Sequence, residues 1–158
     1  MINQYVLAFD PSGSYHEGKG TTGWCLMYRG KVIQTGLIEA KQYNSDMKYY
    51  EAHLALIKRM AEHYPNNLVI VMEDYLLYAK RAQSQTNSRM ETCKLIGIIQ
   101  YYCFKNKLYC ALQTAAQVKK RWSDEILEHE GIALPTTHAE RHARDAIRHA
   151  IHYTYFGG

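Results

Sequence analysis

Tyr5-Val6-Leu7-Ala8-Phe9-Asp10-Pro11-Ser12-Gly13 is the stretch that decides the fold. An apolar and aromatic run ends on a carboxylate, and Pro11, Ser12 and Gly13 turn the chain directly after it. A charge at the end of such a strand is presented at the sheet edge, where ligands bind, instead of in the core. Leu68-Val69-Ile70-Val71-Met72-Glu73 repeats the pattern. It is apolar without alternation, as expected of a central strand covered on both faces, and it too ends on an acid. If the two strands are neighbours, Asp10 and Glu73 converge.

Outward from these strands, the turn-rich segment through Gly20 leads to a strand over Thr22 to Tyr28. Arg29-Gly30 connects it tightly to a third strand, Lys31 to Ile38. Met47, Tyr50, Leu54, Ile57 and Ala61 recur at three- and four-residue spacing, which predicts a helix from about Ser45 to His63 behind a Ser/Asp cap. Residues 79 to 89 form a polar, basic loop. A packed helix follows from about Met90 to Phe104, then a short strand over Leu108 to Leu112. Thr114 can cap a helix carrying Val118, Trp122 and Ile126 beside the cations Lys119, Lys120 and Arg121. The last helix, about His138 to Tyr153, places Ala146, Ile147, Ala150 and Ile151 on its core face. The order β-β-β-α-β-α-β-α-α describes an α/β fold: a five-stranded mixed sheet, three antiparallel strands and then parallel ones, flanked by helices.

At 158 residues, with 47% hydrophobic and 22% charged, the chain fits one domain over 1–158 and is not disordered. The net charge of +4 permits an anionic partner without demanding one. Cys25, Cys93, Cys103 and Cys110 lack zinc-site spacing and sit in apolar stretches, so they are expected as buried free thiols of a reducing compartment. No apolar run is long enough to span a membrane and none has the shape of a signal peptide; a cytoplasmic protein is expected.

His142 and Asp145 are three residues apart on the last helix, so both can face the Asp10 and Glu73 pair. Carboxylates from two strand ends and one helix make an oxygen-rich, negative site that suits Mg²⁺ or Mn²⁺. Two such ions, roughly 3.5 to 4 Å apart, would stabilise the attacking and leaving oxygens of a phosphodiester. Asp74 should point to the opposite strand face and be structural.

Phe9-Asp10-Pro11-Ser12 with Gly20-Thr21-Thr22-Gly23-Trp24, Val71-Met72-Glu73, Lys94-Leu95-Ile96-Gly97-Ile98-Ile99, Gln117-Val118-Lys119-Lys120 and His142-Ala143-Arg144-Asp145-Ala146 span nearly the whole chain. In order and spacing they resemble the RuvC-type Holliday junction resolvases, most of all compact phage or bacterial members. The resemblance implies an RNase H-like fold, a homodimer, and metal-dependent hydrolysis of branched DNA. Asp10, Glu73 and Asp145 match the family's acids, and His142 takes a position where members carry Asp or His. An imidazole there would favour Mn²⁺ somewhat more than carboxylates alone. Lys119 matches a basic residue near the scissile phosphate. The family's Gly-rich, lysine-bearing stretch is replaced by Arg121-Trp122-Ser123-Asp124-Glu125-Ile126, so no second catalytic lysine is assigned. Tyr75 or Tyr78 would stack at the branch point, and Lys80, Arg81, Arg89, Lys119 and Lys120 would contact phosphates. Ile96, Ile99, Tyr101, Tyr102 and Phe104 exceed what one core face requires, which suggests a dimer surface.

Three other readings bear on the same residues. A broader nuclease would cut flaps, forks or D-loops. A DNA-binding module on the same fold would be catalytically silent, although three acids together argue for activity. Asp10-Pro11-Ser12-Gly13 with Gly20-Thr21-Thr22-Gly23 also resembles the phosphate loop of actin-like sugar kinases, which need two such domains where this length fits one.

Overall fold

A computed structural model describes residues 1–75 and 82–157, with the side chains of 82–89 outside that description. Its five strands are β1 (Tyr5–Asp10), β2 (Thr21–Tyr28), β3 (Lys31–Glu39), β4 (Leu68–Asp74) and β5 (Tyr109–Thr114). The helices are α1 (Asp46–His63), α2 (Ala82–Lys105), α3 (Ala115–Arg121), α4 (Asp124–His129) and α5 (Arg141–Phe156). The sheet order is β3-β2-β1-β4-β5. β1, β2 and β3 pair antiparallel, whereas β4 joins β1, and β5 joins β4, in parallel. This is the mixed RNase H-like sheet expected, with β1 and β4 as central neighbours.

Alternation along β1 builds two cores at once. Leu7 and Phe9 face α1 and α2 with Trp24, Leu26, Ile70 and Met72. Val6 and Ala8 face α5 with Cys25, Met27, Val69 and Val71, and with Ala146, Ile147, Ala150 and Ile151 as expected. Burying Ile147 or Ile151 fully stabilises the fold by about 2 kcal/mol each. Close approach of α5 depends on Gly23. A Cβ there would lie 2.1 Å from the His142 carbonyl carbon and 2.3 Å from the Ala143 nitrogen. Gly23 pairs with Asp10 in the β1–β2 register, so this contact seats the start of α5 beside Asp10.

The turn after Asp10 is held from several sides. A Cβ on Gly13 would meet the Glu91 carbonyl oxygen at 2.1 Å, and Gly13 N–H donates to Thr92 Oγ1 at 3.0 Å. Ser12 N–H donates to Thr22 Oγ1 at 3.1 Å, and the Tyr49 hydroxyl donates to the Ser12 carbonyl. Beneath them His53 lies wholly buried. Its Nδ1–H donates to the Tyr49 carbonyl at 2.8 Å, which leaves Nε2 to accept from the Thr22 hydroxyl at 2.8 Å.

Several expectations are corrected. α1 turns Tyr49, Tyr50, His53, Leu56, Ile57 and Met60 inward, and Met47 is exposed. Hydrophobicity underrates Tyr49 and His53, whose polar atoms are satisfied in the network just described. Residues 82–89, expected as loop, are helical in α2. Once the packed part of a helix is nucleated, each further residue adds a hydrogen bond, so a polar run without periodicity can extend it. The helix expected through Ile126 stops at Arg121. Ser123 starts a new one by accepting from Ile126 N–H, and the reset phase buries Leu127 and leaves Ile126 exposed. Cys93 is exposed and Cys110 half-buried, and only Cys25 and Cys103 are buried. Ile96 and Ile99 belong to the α1 and α2 core, while Tyr101 and Phe104 are exposed. Among the described residues no helix is long and apolar enough to cross a membrane.

Burial holds the His53 imidazole down to about 4, against an ordinary value of 6.5. The unfolded chain therefore takes up a proton at His53 that the folded chain refuses, and stability is lost as pH falls from about 6.5 toward 4. By pH 5 this one group should cost about 2 kcal/mol. Urea unfolding at pH 7 and pH 5 should show a larger fall in midpoint for the native chain than for His53→Gln; equal falls would contradict it.

Candidate active site

Asp10 is the last residue of β1. The parallel register runs to Phe9 opposite Met72, so Asp10 and Glu73 are the next residues on neighbouring strands. α5 reaches this pair across β2 at Gly23. His142 donates from Nδ1 to Asp10 Oδ2 at 2.8 Å. One turn further, Asp145 Oδ2 lies 3.5 Å from Lys119 Nζ of α3. The capping box of Thr114 and Gln117 starts α3 directly after β5 and so fixes where Lys119 projects. Asp10, Glu73, His142, Asp145 and Lys119 are thus gathered at one end of the central strands.

The electrostatics follow from crowding. Burial, aided by the Glu73 and Asp145 charges and opposed by the hydrogen bond and charge of His142, pushes the Asp10 carboxyl up to about 6. Asp145 is also raised, by burial first, with Lys119 opposing. Burial would raise Glu73 as well, but the hydrogen bond and favourable field of His149, the bond to Asp10 and the charge of Lys119 hold it below the ordinary carboxylate range.

Three contributors were not legible in the sequence as read. His149 places Nε2 3.1 Å from Glu73 Oε1. Gln113, opposite Glu73 in the β4–β5 register, reaches His149 from the other side. Arg148 donates to Asp145 Oδ1 at 2.8 Å, to the Trp122 carbonyl at 2.8 Å, and to Asp124 Oδ1. For His149 the signal is spacing: it lies four residues after Asp145 and seven after His142, on the same helical stripe.

The remaining expected residues are placed differently. Lys120 is exposed on α3. Tyr75, just after β4, is half-buried and packs against the core on the α1 and α2 side. Asp74 is half-buried and accepts from the Tyr75 N–H at 2.8 Å. Tyr78, Lys80 and Arg81 lie outside the described residues, as does the side chain of Arg89.

Among the described residues, no three His, Cys, Asp or Glu side chains close around a common point. Each acid is turned to its own donor: Asp10 to His142, Glu73 to His149, Asp145 to Arg148. By donor type, three carboxylates and an imidazole suit a hard or borderline divalent cation. Burial first, and then the Glu73 and Asp145 charges, raise Asp10, and a bound cation would offset both by favouring the ionised carboxylate.

No family model and no curated protein sequence matches the chain. Among solved structures, T. thermophilus RuvC in complex with a Holliday junction substrate is similar over 98% of this chain and 94% of that one, with a TM-score of 0.74 at 12% identity. The chain shares the RuvC fold.

Arg148 fastens α5 to the corner between α3 and α4 with one guanidinium. Arg148→Met should lower stability by about 2 to 3 kcal/mol, because a mostly buried Asp145 loses a charged donor and the Trp122 carbonyl loses its partner. Arg148→Lys should recover only part of it, since an ammonium cannot fork across three acceptors. Denaturant unfolding of the three proteins at neutral pH measures this, and a fully stable Arg148→Met variant would contradict it.

Proposed function

We propose that this chain is a metal-dependent endodeoxyribonuclease that acts on four-way DNA junctions. The observation that carries the reading is the gathering of Asp10, Glu73, Asp145 and His142 at one end of the paired central strands, on a fold shared end to end with a RuvC bound to its junction. Asp10, Glu73, Asp145 and His142 would hold Mg²⁺ or Mn²⁺, which when bound supplies Lewis-acid neutralisation of phosphate charge and activation of water.

The chain's own groups have separable tasks. Asp10, hidden at the strand end, takes its orientation from the His142 Nδ1–H. Lys119, half exposed and 3.5 Å from Asp145, stands at the rim with its charge available to a phosphate oxygen, where it would offset charge developing on the leaving group. Lys120 continues that cationic rim along α3. The products would be 5′-phosphate and 3′-hydroxyl ends. Tyr75, Tyr78, Lys80, Arg81 and Arg89 remain our proposed contacts to the DNA on the β4 side.

A four-way junction offers two symmetry-related strands, so a resolvase needs two active sites in one particle. We propose a homodimer whose interface includes the outer face of α2, where Tyr101 is 63% and Phe104 76% exposed. Rings this large and this open are costly on a lone molecule and are favourable as buried anchors.

Asp10→Asn should reduce Mg²⁺-dependent nicking of a synthetic four-way junction by roughly 10²-fold or more while gel-shift affinity is retained. Nicking at the native rate would sink the assignment of the acids. A parallel panel of four-way, three-way, flap and linear substrates separates the junction enzyme, which makes paired cuts, from a general branched-DNA nuclease, which makes single ones.

Junction affinity should fall about 10²-fold between about 50 and about 200 mM salt if around four phosphates are contacted. A flat response would argue against a phosphate-tracking surface.

A further inference from the structure

His149 lies at the junction of three elements, and its chemistry is fixed from two sides. It is 1% exposed, and its partner Gln113 is 8% exposed, so neither finds bulk water. Gln113 Nε2 lies 3.0 Å from the His149 backbone carbonyl and 3.2 Å from the ring Nδ1. A carbonyl oxygen can only accept, so the Gln113 group facing it is the amide NH₂. That same NH₂ faces Nδ1, which must therefore be the accepting nitrogen. The ring hydrogen then sits on Nε2, which points at Glu73 Oε1 3.1 Å away. β5 thus selects the tautomer on α5, and the tautomer selects what meets the acid on β4.

We propose that His149 and Gln113 are a positioning pair that holds the Glu73 carboxylate in one orientation for divalent-cation binding; this rests on the nuclease reading above. An apolar ring would fill the same volume. What the imidazole adds is a donor at one edge and an acceptor at the other, which fixes one Glu73 oxygen and leaves the other for the side where Asp10 lies. Outer partners of this kind hold ligand rotamers in place, and their loss typically weakens metal binding. Neither residue touches the reacting phosphate in this proposal, so neither is a catalytic residue.

The test titrates Mn²⁺ alone into the full-length protein by calorimetry, with thermal unfolding and junction nicking measured alongside. Compared with the native chain, His149→Phe should weaken Mn²⁺ binding about 10- to 100-fold. Nicking should then need more Mn²⁺, with kcat largely restored at saturating metal. His149→Gln keeps an N–H toward Glu73 and should recover most of the affinity. Gln113→Leu frees the tautomer and should lose roughly 3- to 10-fold. Native Mn²⁺ affinity in a folded His149→Phe protein, or equal impairment of His149→Phe and His149→Gln, overturns the proposal alone. If His149→Phe does not fold, unchanged affinity in Gln113→Leu overturns it. An absence of Mn²⁺ binding by the native chain overturns the reading of the acids themselves, and this proposal with it.

Discussion

Two carboxylates at the ends of adjacent parallel strands repel each other, and the surroundings of Asp10 and Glu73 are organised around that repulsion. Parallel pairing of β1 with β4 makes the contact unavoidable, because both strands run the same way and both end on an acid. A buried carboxylate pair is tolerable only if donors reach it or a proton is retained. Here both happen. His142 and His149 donate into the pair from α5, and Asp10 holds its proton to about 6.

Consequently α5 carries more than a packing role. One stripe buries Ala146, Ile147, Ala150 and Ile151 against β1 and β2. The adjoining stripe sets His142, Asp145 and His149 over the acids, and Arg148 ties the helix back to the α3–α4 corner. The missing side chain at Gly23 is what lets this helix come close enough for both. Packing and chemistry are therefore linked: a change that lifts the start of α5 away from β2 also withdraws His142 from Asp10.

The parts of this arrangement that were legible in the sequence are those that hydropathy expresses. The placing of Asp10 and Glu73 where their strands run out, the inward face of α5 and the mixed sheet all follow from apolar runs and their punctuation. What was not legible depends on polar groups that pair only in three dimensions. Tyr49 and His53 sit in the core because Thr22 and Ser12 satisfy them, and nothing local to α1 announces those partners. His149 was hidden in the same way, a polar residue inside an apolar stripe whose partners, Glu73 and Gln113, come from two other strands. The break at Ser123 rests on a local cap, its side chain accepting from Ile126 N–H, which the apolar spacing of Val118, Trp122 and Ile126 does not express.

The bond between His142 and Asp10 joins residues 132 positions apart. Closing so large a loop carries an entropic cost that only the docking of α5 onto the finished sheet can offset. During synthesis β1 emerges before α5, so a nascent chain carries its acids on separate, unassembled elements until α5 has been translated. The site is therefore timed as well as shaped: its acids cannot meet before α5 has been made and has docked.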